Sequence, residues 1–144
     1  MRLFRTAGVG KDNVETTNLM VSEIGFNPYS SCLIVNEHWI DSQPELVRQV
    51  TQAVQRGWQA YLDSPEAANR LIHQDNPAME IDFLSKAVPP IRKLCLPDGF
   101  AKTELGKMTT ERWTTLEHQL RELGLVTAVS ASDAFDNRFL SKAD

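Results

Sequence analysis

Three histidines and two cysteines are the residues of this chain best suited to hold a metal or to act as nucleophile and base. Their spacing offers little support. His38, His73 and His118 fall on three different predicted helices. None stands four residues from another His or Cys, the spacing that puts two ligands on one helical face. Cys32 and Cys95 make neither a C-x-x-C pair nor a zinc pattern. They read as two separate buried thiols that pack as small hydrophobes. Ser30, Ser31 and Cys32 lack the G-x-S-x-G elbow of an activated serine. Asp133 and Asp136 fit a capped, solvated turn better than a carboxylate pair. Residues 8–12, GVGKD, lack the spacing and the GK[ST] ending of a phosphate loop. No catalytic set, metal site or cofactor motif emerges.

Asn27, Tyr29 and Ser30 carry more interest. They lie in a turn-rich loop just before a short apolar run, and polar groups in such loops often line a cleft. A plain Asn-Pro turn accounts for Asn27-Pro28 equally well. These three are the candidate ligand-binding residues.

The element that must position them is predicted over residues 43–65. Pro44 suits a first helical turn, and Glu45 complements the positive end of the helix dipole. Leu46, Val47, Val50, Ala53, Val54, Trp58, Tyr61 and Leu62 form an apolar stripe at helical spacing. Arg48, Gln49, Gln52, Gln55, Arg56 and Gln59 take the other side. Gly57 breaks the pattern, since glycine costs about 1 kcal/mol against alanine in a helix. Close packing of another backbone beside Trp58 is the expected reason.

Around that helix, residues 14–24 and 31–35 (SCLIV) read as strands, the second buried. Asn36 caps a short helix. Ser64 can cap a third helix, which begins at Pro65 and ends at Asn76-Pro77. Residues 78–96 have helical periodicity, with Pro89-Pro90 expected to kink or divide them. Thr109 caps a last long helix, ended by Gly124 with Leu125 folding back. The reading is a helix-rich α/β fold with two strands and four to six helices. Two strands are too few for a stable sheet alone. Residues 1–144 are therefore a single domain or a fragment of a larger one.

Composition fits a water-soluble globular protein: 42% hydrophobic, 24% charged, net charge −4. Acidity and scattered basic residues argue against nucleic-acid binding. No stretch is apolar enough to insert in a membrane, and the first fifteen residues lack a signal-peptide core. Export requires a signal peptide upstream; without one, the cytoplasm is the expected location.

The order of these signals resembles the carboxyl-terminal part of substrate-binding proteins of ABC importers. The nearest group binds thiamine-precursor pyrimidines, sulfonates or taurine. Pro44-Glu45-Leu46-Val47, Gly57-Trp58, Ser64-Pro65-Glu66-Ala67-Ala68, Arg112-Trp113, Leu123-Gly124-Leu125 and Asn137-Arg138-Phe139-Leu140 carry the resemblance. It implies a partial lobe of the type II periplasmic-binding-protein fold. It also implies a small organic ligand, hinge closure without catalysis or cofactor, and an ABC permease partner reached through a lobe missing here. Residues 25–31 would be the crossing between lobes, which puts Asn27, Tyr29 and Ser30 near the cleft. Two readings compete with it. One is a pyrimidine-synthesising enzyme of the same fold, which would need a nucleophile or metal cluster. The other is a stand-alone helical interaction module that forms a homodimer.

Overall fold

The computed structural model describes residues 20–97 and 99–141, and these are helical. Five α-helices follow in order: α1 (Glu37–Ser42), α2 (Pro44–Asp63), α3 (Glu66–Asp75), α4 (Ile81–Cys95) and α5 (Thr110–Glu122). Short 3-10 turns lie at Val21–Ile24, Lys102–Glu104 and Ala131–Asp133. No β-strand occurs among the described residues, so the two-strand α/β expectation is wrong. Residues 14–19 of the first expected strand lie outside the described residues; its end, Val21–Ile24, is a 3-10 turn.

Residues 31–35 fail as a strand for a physical reason. An apolar run is a buried strand only where another strand pairs with it. Among the described residues, no backbone–backbone hydrogen bond involves residues 26–35. Leu33 is 53% exposed and Ile34 89%. Cys32 is exposed as well, contrary to the expectation of a buried thiol. Cys95 is half-buried, and burial pushes its thiol pKa up. The two are not bridged.

α2 has the expected bounds and start, with Pro44 at its first position and Glu45 in the first turn. Its buried face is the expected one only in part: Val47 and Leu62 of the predicted stripe are buried, and Gln55 joins them. Leu46, Val50, Val54 and Trp58 of that stripe are each more than 40% exposed. These four stand four residues apart in a single line along the helix. The helix has rotated its line of largest apolar residues partly outward and turned Gln55 inward.

Gln55 explains the rotation. Its Nε2 donates to the Leu105 carbonyl at 2.9 Å, and its Oε1 accepts from the Ser141 N–H at 3.0 Å. Both ends of a 5%-exposed amide are thereby satisfied. The same face gains Arg48, which donates to the Arg138 carbonyl and lies over the buried Phe139 ring. Gln59 donates to the Lys102 carbonyl. α2 is thus tied to the 97–107 loop and to the end of the described chain mainly through polar side chains.

Gly57 does not make the close packing expected of it. A Cβ built there meets nothing within 4 Å.

α3 begins after Pro65, with no side-chain cap from Ser64. Tyr61 donates from its hydroxyl to Asn69 Oδ1 at 3.1 Å, joining α2 to α3. α4 runs through Pro89-Pro90 without dividing. Both prolines are exposed, so the carbonyls of Ser85 and Lys86, which lose their N–H partners, can turn to water. Leu84, Ala87 and Val88 form its buried face. α5 has the expected cap, Thr109 Oγ1 accepting from the Arg112 N–H at 3.3 Å. At its end Gly124 adopts φ 67°, and the Leu125 N–H donates to the Leu120 carbonyl at 2.9 Å. The Leu125 backbone folds back as expected, but its side chain stays exposed.

The core is small. Eight apolar side chains are buried among the described residues, and nineteen large ones are exposed. Stability must therefore rest heavily on the α2 ties. Gln55→Ala strips the Leu105 carbonyl and the Ser141 N–H of their partners and leaves a cavity, a loss of about 2 kcal/mol. Gln49→Ala, at an exposed position, changes stability by less than about 0.5 kcal/mol. Denaturant unfolding followed by tryptophan fluorescence measures both.

Candidate functional site

The loop that holds the candidate residues lies along the first half of α5, and Arg112 fastens it there. Arg112 sits in the first turn of α5, where the Thr109 cap fixes the backbone. Its Nη2 donates to Asn27 Oδ1 at 2.8 Å and to the Pro28 carbonyl at 2.9 Å, and its Nε donates to the Asn27 carbonyl. The guanidinium carbon stands 4.1 Å from the centre of the Tyr29 ring, a cation–π arrangement. The planar fork with several donors suits arginine rather than lysine.

Two further contacts hold the loop. The Tyr29 hydroxyl accepts from the Thr109 N–H at 2.8 Å. Gln119 Nε2 donates to the Gly25 carbonyl at 2.8 Å, a contact that follows from the φ of 87° at Gly25, which glycine tolerates. Tyr29 packs on Trp113 with ring centres 5.7 Å apart, and Trp113 stacks on Phe135 at 6.1 Å. Trp113 Nε1 reaches Met108 Sδ at 3.4 Å.

Between loop and helix lies an open cavity of about 270 Å³. Asn27, Pro28, Thr109, Glu111, Arg112 and Gln119 are among its lining residues. Leu116 and Pro28 add apolar wall, so the lining is mixed; it carries the Glu111 carboxylate and the Arg112 guanidinium, the latter already committed to the loop.

The three candidate residues fare differently. Asn27 lines the cavity and is exposed. Its Oδ1 is taken by Arg112, while its Nδ2 donors have no partner among the described residues. Tyr29 is half-buried, with its hydroxyl spent on Thr109 and its ring on Arg112 and Trp113, and it is not part of the lining. Ser30 is exposed and also outside the lining. The sequence reading missed Arg112, Thr109 and Gln119. Nothing local marks a contact between positions 85 residues apart.

The far end of α5 is fixed by Glu117. Its Oε2 accepts from the Ala131 N–H at 2.9 Å, and its Oε1 pairs with Arg121 Nε at 2.9 Å. The Ala131 bond first, and the Arg121 guanidinium with it, hold the Glu117 carboxyl below its ordinary value of 4.5. Arg121 also donates to the Thr127 and Val129 carbonyls. Among the histidines, His38 and His118 are exposed, and His73 Nδ1 lies 2.9 Å from the Met79 carbonyl. Among the described residues, no three His, Cys, Asp or Glu side chains are grouped to hold a metal ion, and no helix is long and apolar enough to cross a membrane.

The comparisons with known proteins bear on this loop directly. The family described as "NMT1/THI5 like" matches residues 3–68, which include Asn27, Tyr29, Ser30, α1 and α2. Over those residues the chain resembles that family. The chain is also 31% identical over 132 residues to "Riboflavin-binding protein RibY" of Chloroflexus aurantiacus, covering 88% of this chain. The chain spans 37% of that protein's length. No solved structure matches. The match takes in the motifs of α1, α2 and the start of α3.

The depressed pKa of Glu117 sets a pH dependence. Its bond to Ala131 contributes stability above the ordinary carboxyl value, and that contribution is lost as pH falls through the lowered one. The difference in melting temperature between the unaltered chain and Glu117→Gln is expected to be constant near neutrality and to shrink below about pH 4.5. Thermal scans from pH 7 to pH 2 measure it.

Proposed function

We propose that this chain is part of a two-lobed solute-binding protein of an ABC importer, and that its ligand is a small polar organic molecule with an aromatic ring. The observation that carries this reading is the coincidence of two findings. The segment that matches the NMT1/THI5-like family contains the Asn27 loop, and Arg112 clamps that loop beside a cavity of mixed polar and apolar lining. A clamped loop costs little further ordering entropy when a ligand docks. The free Nδ2 donors of Asn27 are the groups on offer to a ligand carbonyl or ring nitrogen. Riboflavin, by analogy with the relative, and thiamine-precursor pyrimidines both present such acceptors.

The exposed line of Leu46, Val50, Val54 and Trp58 on α2 fits the same proposal. So do Leu33 and Ile34, both exposed. Both patches are covered, on this reading, by the rest of the binding protein. Gly57, beside that line and open to solvent, leaves room for a close backbone approach. A permease would be met through the assembled protein.

Ligand contacts would then be shared with another lobe, so this chain alone binds weakly. Calorimetry against riboflavin, a thiamine-precursor pyrimidine and taurine tests this. The expected result is saturable binding of riboflavin or the pyrimidine and not of taurine, with Kd of about 1 mM, weakened several-fold by Asn27→Ala. Micromolar binding by this chain alone contradicts the shared site. Binding unchanged by Asn27→Ala contradicts the loop's role.

A second reading, a homodimerising helical module, draws on the same exposed α2 line. Light scattering separates the two. A stable dimer favours the module, and a monomer favours the shared-lobe reading.

A further inference from the structure

A second cavity, of about 310 Å³, lies where the C-terminal end of α2 meets α4 and the 97–107 loop. It is far from the Asn27 loop in composition and in the elements that build it. Leu62, Leu96 and Leu105 supply apolar wall, and Leu62 and Leu105 are themselves buried. Asp63, Arg92 and Lys102 supply charge. The volume is at the lower end of small-molecule pockets.

The three charges are not equally engaged. Lys102 Nζ donates to Asp63 Oδ1 at 2.6 Å, so these two offset one another. Arg92 has no carboxylate within ion-pair distance among the described residues. Its Nη2 donates to the Leu62 carbonyl, which belongs to the last turn of α2. That turn carries a partial negative charge and offsets only part of the guanidinium's. One carbonyl also engages only one of its five N–H donors. Arg92 thus keeps part of its charge and an incompletely used fork beside an apolar wall.

We propose that this cavity binds a small organic monocarboxylate, with its carboxylate on Arg92 and its apolar body against Leu62, Leu96 and Leu105. A guanidinium fork matches a carboxylate with two parallel hydrogen bonds. Asp63 and the end of the α2 dipole disfavour a dianion. An inorganic anion leaves the apolar wall wet, and a neutral hydrocarbon leaves the fork unmatched. The proposal stands apart from the solute-binding reading, because it shares no residue with the Asn27 cavity.

The test uses the full chain, labelled with nitrogen-15, titrated with 3-phenylpropanoate, its neutral amide 3-phenylpropanamide, and acetate. The expected result is saturable shifts of the Leu62, Leu96 and Leu105 amides with 3-phenylpropanoate. The amide and acetate should each bind about tenfold more weakly. Arg92→Gln should weaken 3-phenylpropanoate by about the same factor, with the dispersion of its amide spectrum reporting that it folds. If Arg92→Gln does not fold, the comparison of acid with amide on the unaltered chain decides. No saturable shift up to about 10 mM, or equal binding of acid and amide, overturns the proposal.

Discussion

The buried amide of Gln55 is the constraint on which the rest of this fold depends. It is one side chain with two obligations, a donor to Leu105 and an acceptor from Ser141. Leaving either end unsatisfied would cost about 1–3 kcal/mol, comparable with burying a whole leucine. So α2 turns Gln55 inward and leaves Leu46, Val50, Val54 and Trp58 partly in water. The 97–107 loop and the segment around Phe139 are thereby drawn to one face of α2. From that choice follow both the exposed apolar line and the cavity between α2 and α4.

Arg112 plays a comparable part at the other end of the molecule. Among the described residues, the loop at residues 25–30 makes no backbone–backbone hydrogen bond beyond the Gly25 turn. A guanidinium with five donors holds it instead, gripping two carbonyls and a side-chain oxygen while its face covers Tyr29. The result is a loop held by side-chain contacts, with the Asn27 amide still able to donate into the cavity.

The local signals in the sequence were legible where they rested on neighbours. Pro44, Asn36, Thr109 and Gly124 mark helix ends through contacts within a few residues, and the structure has them there. Order of motifs likewise pointed to the NMT1/THI5-like segment. Long-range balance was not legible. Residues 31–35 have strand composition, but a strand needs a partner that composition does not reveal. Gln55 looked like a surface residue because its two partners lie 50 and 86 positions away. Pro89-Pro90 looked like a break, yet exposure lets α4 carry both. At the site, Asn27 was readable as a polar loop residue, whereas Arg112 was hidden among ordinary helix charges.

Solute binding by the Asn27 loop is the claim to which the fold, the cavity and the NMT1/THI5-like match all contribute. Amide chemical-shift mapping tests it most directly, with riboflavin and a thiamine-precursor pyrimidine added to the labelled chain. The account predicts that one of these ligands shifts Asn27, Thr109, Arg112 and Gln119 together and leaves the Leu96–Leu105 region unmoved. Shifts confined to other faces, or no shift at the Asn27 loop with either ligand, would contradict it.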